Sequence, residues 1–458
     1  MSKQVIVIGG GISGLSALHF FHKRFPDNSN LEILLLEKEP QPGGTIRSIR
    51  GQGGLFETGP NGFLNNKEET IALIHDLGLD QDVIFANPES KLRYLSIKNK
   101  LIAFPRGPGD FFLFPTLSLL EKTRVLFEVF VPRGNDPNES IYEFGKRRFG
   151  KKFTEVFLDP FVKGIYAGDI HSLNLNSAFP QLYEWERIYG SLIKGISLSK
   201  KNKSDKSQKH QKKSIFSSQL CSFSKGMGQL IDALHKKYSH CILTNQDVKS
   251  IKKFKDRFAI ETQKETYSAH HVFLCAPAYC SAEFLQPLNS SLAQLLKKIY
   301  YAPVIVAGLL YSKSDVKNFP CGFGYLIPSF ERKPILGVLV CSNIFQNRAT
   351  ENHVLFRIML GGTNNPEVIN LSQKELIELA RNELKTTLDI RMNPKEEFIK
   401  IWPKAIPQYD LEYPEVIKNL QKELTPYSGL HIIANYWMGI SLNDCIANAK
   451  KKIAEIMI

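Results

Sequence analysis

Val5-Ile-Val-Ile-Gly9-Gly-Gly11-Ile-Ser-Gly14 opens the chain, continues as Leu15-Ser-Ala-Leu-His-Phe-Phe21, and is followed by Leu31-Glu-Ile-Leu-Leu-Leu-Glu37. This stretch decides the fold. A β-branched apolar run that ends in Gly9-x-Gly11-x-x-Gly14 and passes straight into an apolar helical segment is the fingerprint of a Rossmann-like βαβ unit. Gly9 allows the tight turn, Gly11 lets backbone approach a pyrophosphate, and Gly14 lets helix pack on strand. Gly10, Ile12 and Ser13 complete the loop, whose helix N-terminus offers free N–H groups to an anion. Glu37 ends the second strand about twenty residues beyond the glycines, where a carboxylate accepts from ribose hydroxyls. A lone glycine triplet is a weak signal. Strand, triplet, helix, strand and acid in that order imply a bound dinucleotide.

Outward from this unit, composition sets the bounds. A chain of 458 residues suits two or three domains, and 43% hydrophobic with 23% charged residues excludes wholesale disorder. No apolar run is long enough to span a bilayer, and Val5 to Ile12 lacks the cationic flank of a signal peptide. The expected address is therefore the cytoplasm, with a peripheral position on the membrane face left open. The seven cysteines are scattered without a Cys-x-x-Cys pair, and the eleven histidines show no ligand spacing. No metal site or disulfide framework is expected, and His270-His271 reads as the flank of an apolar strand.

The net charge of +14 raises the question of nucleic acid. Much of that excess is local. Between Lys200 and Lys213 seven lysines face one acid, Asp205, among Ser, Gln and Asn, and residues 199–214 read as a solvated loop. No aromatic–basic interleaving accompanies it, so nucleic acid is not an expected partner. An anionic membrane surface or an acidic small substrate accounts for the remaining basicity equally well.

The pattern predicts an α/β plus α+β protein of three parts. A discontinuous Rossmann-like domain takes residues 1–87, 220–277 and 406–458. A helical insertion takes 88–215, beginning with a hairpin at 92–104 and an aromatic-rich block from Phe111 to Val131. A mixed-sheet domain takes 278–405. Ser140-x-x-Glu143 and Ser372-x-x-Glu375 read as capping boxes. Gly43-Gly44 suits a close approach of backbone to cofactor, with Arg47 a nearby charge. Glu57-Thr-Gly59-Pro60-Asn61-Gly62-Phe63 reads as a rigid loop presenting backbone N–H groups.

Glu37 followed by Gly43-Gly44 resembles the FAD-binding amine oxidase superfamily, and Gly429-Leu-His-Ile-Ile-Ala-Asn-Tyr436 with Gly439-Ile-Ser-Leu442 resembles its second FAD-contacting stretch. Asp159-Pro-Phe-Val-Lys-Gly-Ile-Tyr-Ala-Gly-Asp169 is similar to the signature of the protoporphyrinogen and coproporphyrinogen oxidases. Gly322-Phe-Gly-Tyr-Leu-Ile-Pro328 and Ile406-Pro-Gln-Tyr409 follow the same pattern, so the resemblance spans the chain. It implies FAD as cofactor, held by Gly9 to Gly14, Glu37, Lys38, Gly44, Thr45, Arg47, Gly59, Pro60, Asn61, Gly62, Val248, Trp402, Ile440, Ser441 and Leu442. It also implies a substrate carboxylate on Arg93, apolar walls from Leu326 and Phe345, and close approach of a flat macrocycle at Gly168.

Two positions depart from the pattern: Ala434 and Ser441 stand where the family favours glycine. The resemblance further implies oxidation of protoporphyrinogen IX to protoporphyrin IX in three two-electron steps, with oxygen as acceptor and no catalytic dyad. A membrane contact through Phe111 to Val131 and a homodimer are left open. The alternatives are oxidation of coproporphyrinogen III, a related FAD oxidase of amines or carotenoids, and a non-enzymatic FAD scaffold or nucleic-acid-associated protein.

Overall fold

Alternate side chains of the first strand, Lys3–Ile8, serve two different cores. Val5 and Val7 pack with Leu15, Leu18 and Phe21 of the helix Ile12–Arg24, while Ile6 and Ile8 join a second cluster across the sheet. A strand buried on both faces in this way belongs to a parallel sheet covered on both sides. The computed structural model describes residues 3–26, 31–201, 219–317 and 321–456. From residue 202 onward the expected lysine-rich loop lies outside them.

Five parallel strands form that sheet, in the order Ile242–Leu243, Leu31–Leu36, Lys3–Ile8, His271–Leu274, Leu430–Ile432. The closing helix, Leu442–Glu455, packs on Ile12–Arg24, so both ends of the chain build one nucleotide-binding layer. A three-stranded meander (Val248–Phe254, Arg257–Thr262, Thr266–Ala269) sits beside it.

The second layer is a seven-stranded mixed sheet in the order Glu396–Pro407, Tyr301–Ser312, His353–Gly361, Ile335–Val340, Gly324–Leu326, Arg93–Ile97, Lys100–Ala103. The α/β plus α+β expectation is borne out. The hairpin expected at 92–104 forms, but not as part of the helical insertion: Arg93–Ile97 pairs parallel with Gly324–Leu326 and extends the mixed sheet. The edge strand Glu396–Pro407 was not expected at all. Pro403 and two lysines mask its alternation, and the sheet tolerates that proline at its edge, opposite a bulge between Ala302 and Val304.

The helical insertion runs from Pro108–Leu113 to the helix beginning at Leu192. Ser372 makes the full reciprocal capping box with Glu375. Ser140 caps its helix by accepting from Glu143 N–H, but the Glu143 carboxylate turns to Lys146. A complete box that the sequence reading passed over sits at Ser118 and Glu121, starting Leu119–Leu126.

Candidate active site

The glycine loop is set by contacts that leave no room for side chains, except at one position. Gly9 has φ +107°, and a Cβ there would lie 3.0 Å from the backbone of Cys275 and Ala276. A Cβ on Gly14 would lie 2.0 Å from the Gly9 carbonyl oxygen, which is how closely helix and strand approach. A Cβ on Gly11, by contrast, would meet nothing within 4 Å. Gly11 is also the N-cap of Ile12–Arg24, with no side-chain cap and no acid in the first turn. Free amide donors and a positive dipole end thus open onto a cradle that a Cβ would fill, as a pyrophosphate requires.

Glu37 is buried and oriented by Gly10 N–H, which donates to Oε2 at 2.6 Å, and by Glu39 N–H, which donates to Oε1 at 2.8 Å. Each oxygen keeps a lone pair for a ribose hydroxyl. Gln246 N–H donates to the Glu37 carbonyl at 2.9 Å, which keys the strand carrying buried Val248 to the same acid. Lys38 is exposed and pairs loosely with Glu39.

Gly43 and Gly44 dock on this loop: Gly43 N–H donates to Gly10 O at 2.8 Å, and Gly44 takes φ +58° with its missing Cβ 3.4 Å from Gly11 Cα. The next loop, 57–63, is clamped from several sides. Thr58 Oγ1 donates to Thr45 O at 2.8 Å, and a Cβ on Gly59 would lie 2.2 Å from that oxygen. Trp402 Nε1 donates to Thr58 O at 2.8 Å. Arg357, which the sequence reading missed, reaches from the mixed sheet to donate to the Glu57 and Gly59 carbonyls. Its signal was an arginine in the midst of the apolar run Val354-Leu-Phe-Arg-Ile-Met-Leu360.

Glu57 accepts from Met227 N–H and Ser48 Oγ, 3.8 Å from buried Arg348; burial nevertheless pushes its carboxyl upward. Two buried donors in this region, Arg47 Nε and Asn61 Nδ2, have no partner among the described residues. Such orphans are costly unless a ligand satisfies them, so the residues present fit a polar ring edge of FAD.

The C-terminal stretch is held by a tyrosine pair, Tyr409 of the Ile406 to Tyr409 motif and Tyr413. Tyr409 and Tyr413 stack at 4.2 Å; Tyr409 Oη accepts from Gly439 N–H, and Tyr413 Oη donates to Tyr436 O at 2.9 Å. Ser441 caps Leu442–Glu455 by accepting from Asp444 N–H at 3.1 Å. Its hydroxyl is thereby committed, and the backbone of Ile440 to Leu442 at the helix start is what remains for a cofactor. Ala434 is buried on the apolar side of the sheet.

On the substrate side the expected residues divide. Arg93 is exposed, stacks its guanidinium 4.8 Å from the Phe323 ring, and makes no ion pair with the described residues. A cation left free beside an apolar ring suits an incoming carboxylate. Leu326 is half-buried against Gly164. Gly168 does something other than expected: its missing side chain is replaced by Gln408 Oε1 and Leu173, so it serves internal packing and not approach of a ligand. Phe345 likewise is wholly buried behind Gly62 and is no exposed wall. In the 159–169 motif, Asp159 accepts from Ser329 N–H at 2.6 Å and Oγ at 2.7 Å, while buried Lys163 donates to Ile327 O. The motif is a latch on the turn that follows Leu326.

The chain matches the model of the flavin containing amine oxidoreductase family over residues 24–456. It is 29% identical to the chloroplastic protoporphyrinogen oxidase of Oryza sativa subsp. japonica, covering all of this chain (100%) and 88% of that one. It is 26% identical to the coproporphyrinogen III oxidase of Bacillus subtilis, covering 99% and 98%. A solved structure from Exiguobacterium sp. 255-15 superposes with TM-score 0.83 at 23% identity, covering 99% and 98%, which establishes the shared fold.

Proposed function

The chain belongs to the flavin containing amine oxidoreductase family, and we propose that it is an FAD-dependent oxidase of protoporphyrinogen IX. The carrying observation is the unpaired Arg93 on the mixed sheet, in a chain that runs end to end with porphyrinogen oxidases. Bound FAD supplies a two-electron acceptor, and three such rounds with dioxygen as final acceptor convert a porphyrinogen to a porphyrin. The protein's part is binding and orientation. The first turn of Ile12–Arg24 and Glu37 hold the dinucleotide, and the clamped loop 57–63 with Arg47 and Asn61 fixes the ring edge. Arg93 pairs with a propionate and so sets the pose of the macrocycle, and Leu326 gives it an apolar contact.

A coproporphyrinogen III oxidase is the second reading, favoured by the Bacillus subtilis relative and by one from Staphylococcus aureus that is 27% identical. Steady-state oxidation of both porphyrinogens, followed by porphyrin fluorescence, tests the proposal. A higher kcat/KM for protoporphyrinogen IX supports it; a higher value for coproporphyrinogen III transfers it to the second reading, and turnover of neither refutes both.

No helix among the described residues is long and apolar enough to cross a membrane. The proposal does include a peripheral contact, because the helical insertion presents Leu113, Leu120 and Phe130, which are 83%, 82% and 77% exposed. The same insertion buries Phe114 and Leu117 with Val156 and Phe157 in a small core of its own. An exposed apolar patch on an otherwise charged chain fits a lipid surface, where a sparingly soluble substrate would reside. Replacing all three by Ser abolishes flotation with liposomes if this is the contact; undiminished flotation rejects it.

A further inference from the structure

The far end of the first helix carries a cluster that the flavin site does not use. His22, in its last turn, meets His240 and Cys241 in the turn after the helix Gly228–Tyr238. Their ligand atoms all lie within 4.8 Å of one another. His22 Nε2 is 3.5 Å from Cys241 Sγ. In tetrahedral zinc coordination, bonds of about 2.05 Å to nitrogen and about 2.3 Å to sulfur place those two atoms about 3.6 Å apart. One edge of a coordination tetrahedron is therefore already at length, and exposed His240, its ligand atom within 4.8 Å of the other two, is the ligand that must rotate to close the others.

We propose that His22, His240 and Cys241 form a Zn²⁺ site, with water as the fourth ligand. Sequence spacing gave no hint of it, because the ligands come from two distant segments that only the packing of helix on sheet unites.

The surroundings hold the ligands in place as metal sites require. The His22 ring stacks on Tyr238 at 5.0 Å with an interplanar angle of 19°. Tyr238 Oη is in turn 2.9 Å from His19 Nδ1, and His19 Nε2 is 3.1 Å from Asp76. Such outer partners orient the ligating rings and are part of a metal site's affinity. On binding, the Cys241 thiol releases its proton to solvent and both imidazoles ligate as neutral rings.

Three protein ligands and an exposed edge make an exchangeable site. It is not a reacting centre: the ten residues of helix between Gly11's end and His22 span about 15 Å. The ion would instead tie the first helix to the strand Ile242–Leu243, whose register beside Leu35 and Leu36 positions Glu37.

Equilibrium dialysis of chelator-treated, flavin-loaded enzyme against Zn²⁺ tests the site. The expected result is one equivalent bound, with affinity at least tenfold weaker in both Cys241→Ser and His240→Ala, and unchanged in Cys321→Ser at an exposed cysteine elsewhere. Flavin absorbance serves as the folding control for each variant. Zn²⁺ should also slow alkylation of Cys241 by iodoacetamide, read by mass spectrometry. Failure of the holoenzyme to bind Zn²⁺, or stoichiometric binding that survives Cys241→Ser, overturns the proposal. Neither outcome touches the porphyrinogen reading.

Discussion

Gly11→Ala separates folding from cofactor binding. Gly11 has φ −72° and ψ −179°, a conformation open to any residue, and its Cβ position has no protein atom within 4 Å. The flavin-free protein should therefore tolerate alanine, gaining about 0.4–1 kcal/mol from the smaller entropy of its unfolded chain. The new methyl instead occupies the cradle at the helix start. A pyrophosphate displaced from it loses at least one charge-assisted hydrogen bond, worth about 1.5–3 kcal/mol. At about 1.4 kcal/mol per decade, that weakens FAD binding roughly 10- to 150-fold.

Gly14→Ala is the contrasting case. Its Cβ would lie 2.0 Å from the Gly9 oxygen, backbone against backbone, so the helix must shift and the apoprotein itself loses about 1–3 kcal/mol or more. Apoprotein stability by urea denaturation and FAD affinity by fluorescence quenching are the two readouts. A Gly11→Ala protein with wild-type FAD affinity would refute the placement of the pyrophosphate over Gly11. A destabilised Gly11→Ala apoprotein would refute the open cradle.

Arg93→Ala should raise KM about tenfold or more with little change in kcat, since a binding contact to a remote carboxylate is lost; an unchanged KM means the anchor lies elsewhere. Arg148 is fully buried between Glu128 and Glu186, at 2.8 Å from Glu128 Oε1; Arg148→Ala leaves Glu128 buried without a cation, while Glu186 keeps Arg147, and should cost about 3–5 kcal/mol in urea denaturation. A loss under about 1 kcal/mol would show that the network is solvated in solution. Burial, helped by His271 and Lys452, lowers His431 from its ordinary value to about 3. Its unfolded form takes up a proton below about pH 6.5 and its folded form does not, so stability falls as pH drops from there toward 3, by up to about 1.4 kcal/mol per pH unit. His431→Gln should flatten that acid limb in urea titrations at successive pH values, and an unaltered limb would assign the loss to other groups.

Much of the fold was legible because its determinants are local. Val5 to Glu37 states its strand, turn, helix and strand in consecutive residues, and the Ser372 capping box announces the helix Gln373–Leu388. The strand Glu396–Pro407 was illegible for an equally physical reason: an edge strand exposes one side, tolerates Pro403 and carries no clean alternation. Gly168 and Phe345 show where residue type misleads. A glycine in a family motif reads as room for a ligand, yet here Gln408 fills that room.

The sequence by itself determined that a dinucleotide cofactor is used, since glycine freedom and helix-end charge act over a few neighbouring residues. Only the tertiary structure decided what steadies that site. Arg357 reaches a loop residue 300 positions away, His22 meets Cys241 219 positions away, and Tyr409 and Tyr413 hold residues 23 to 30 positions further on. Their contacts arise from the packing of layers, which no spacing along the chain encodes.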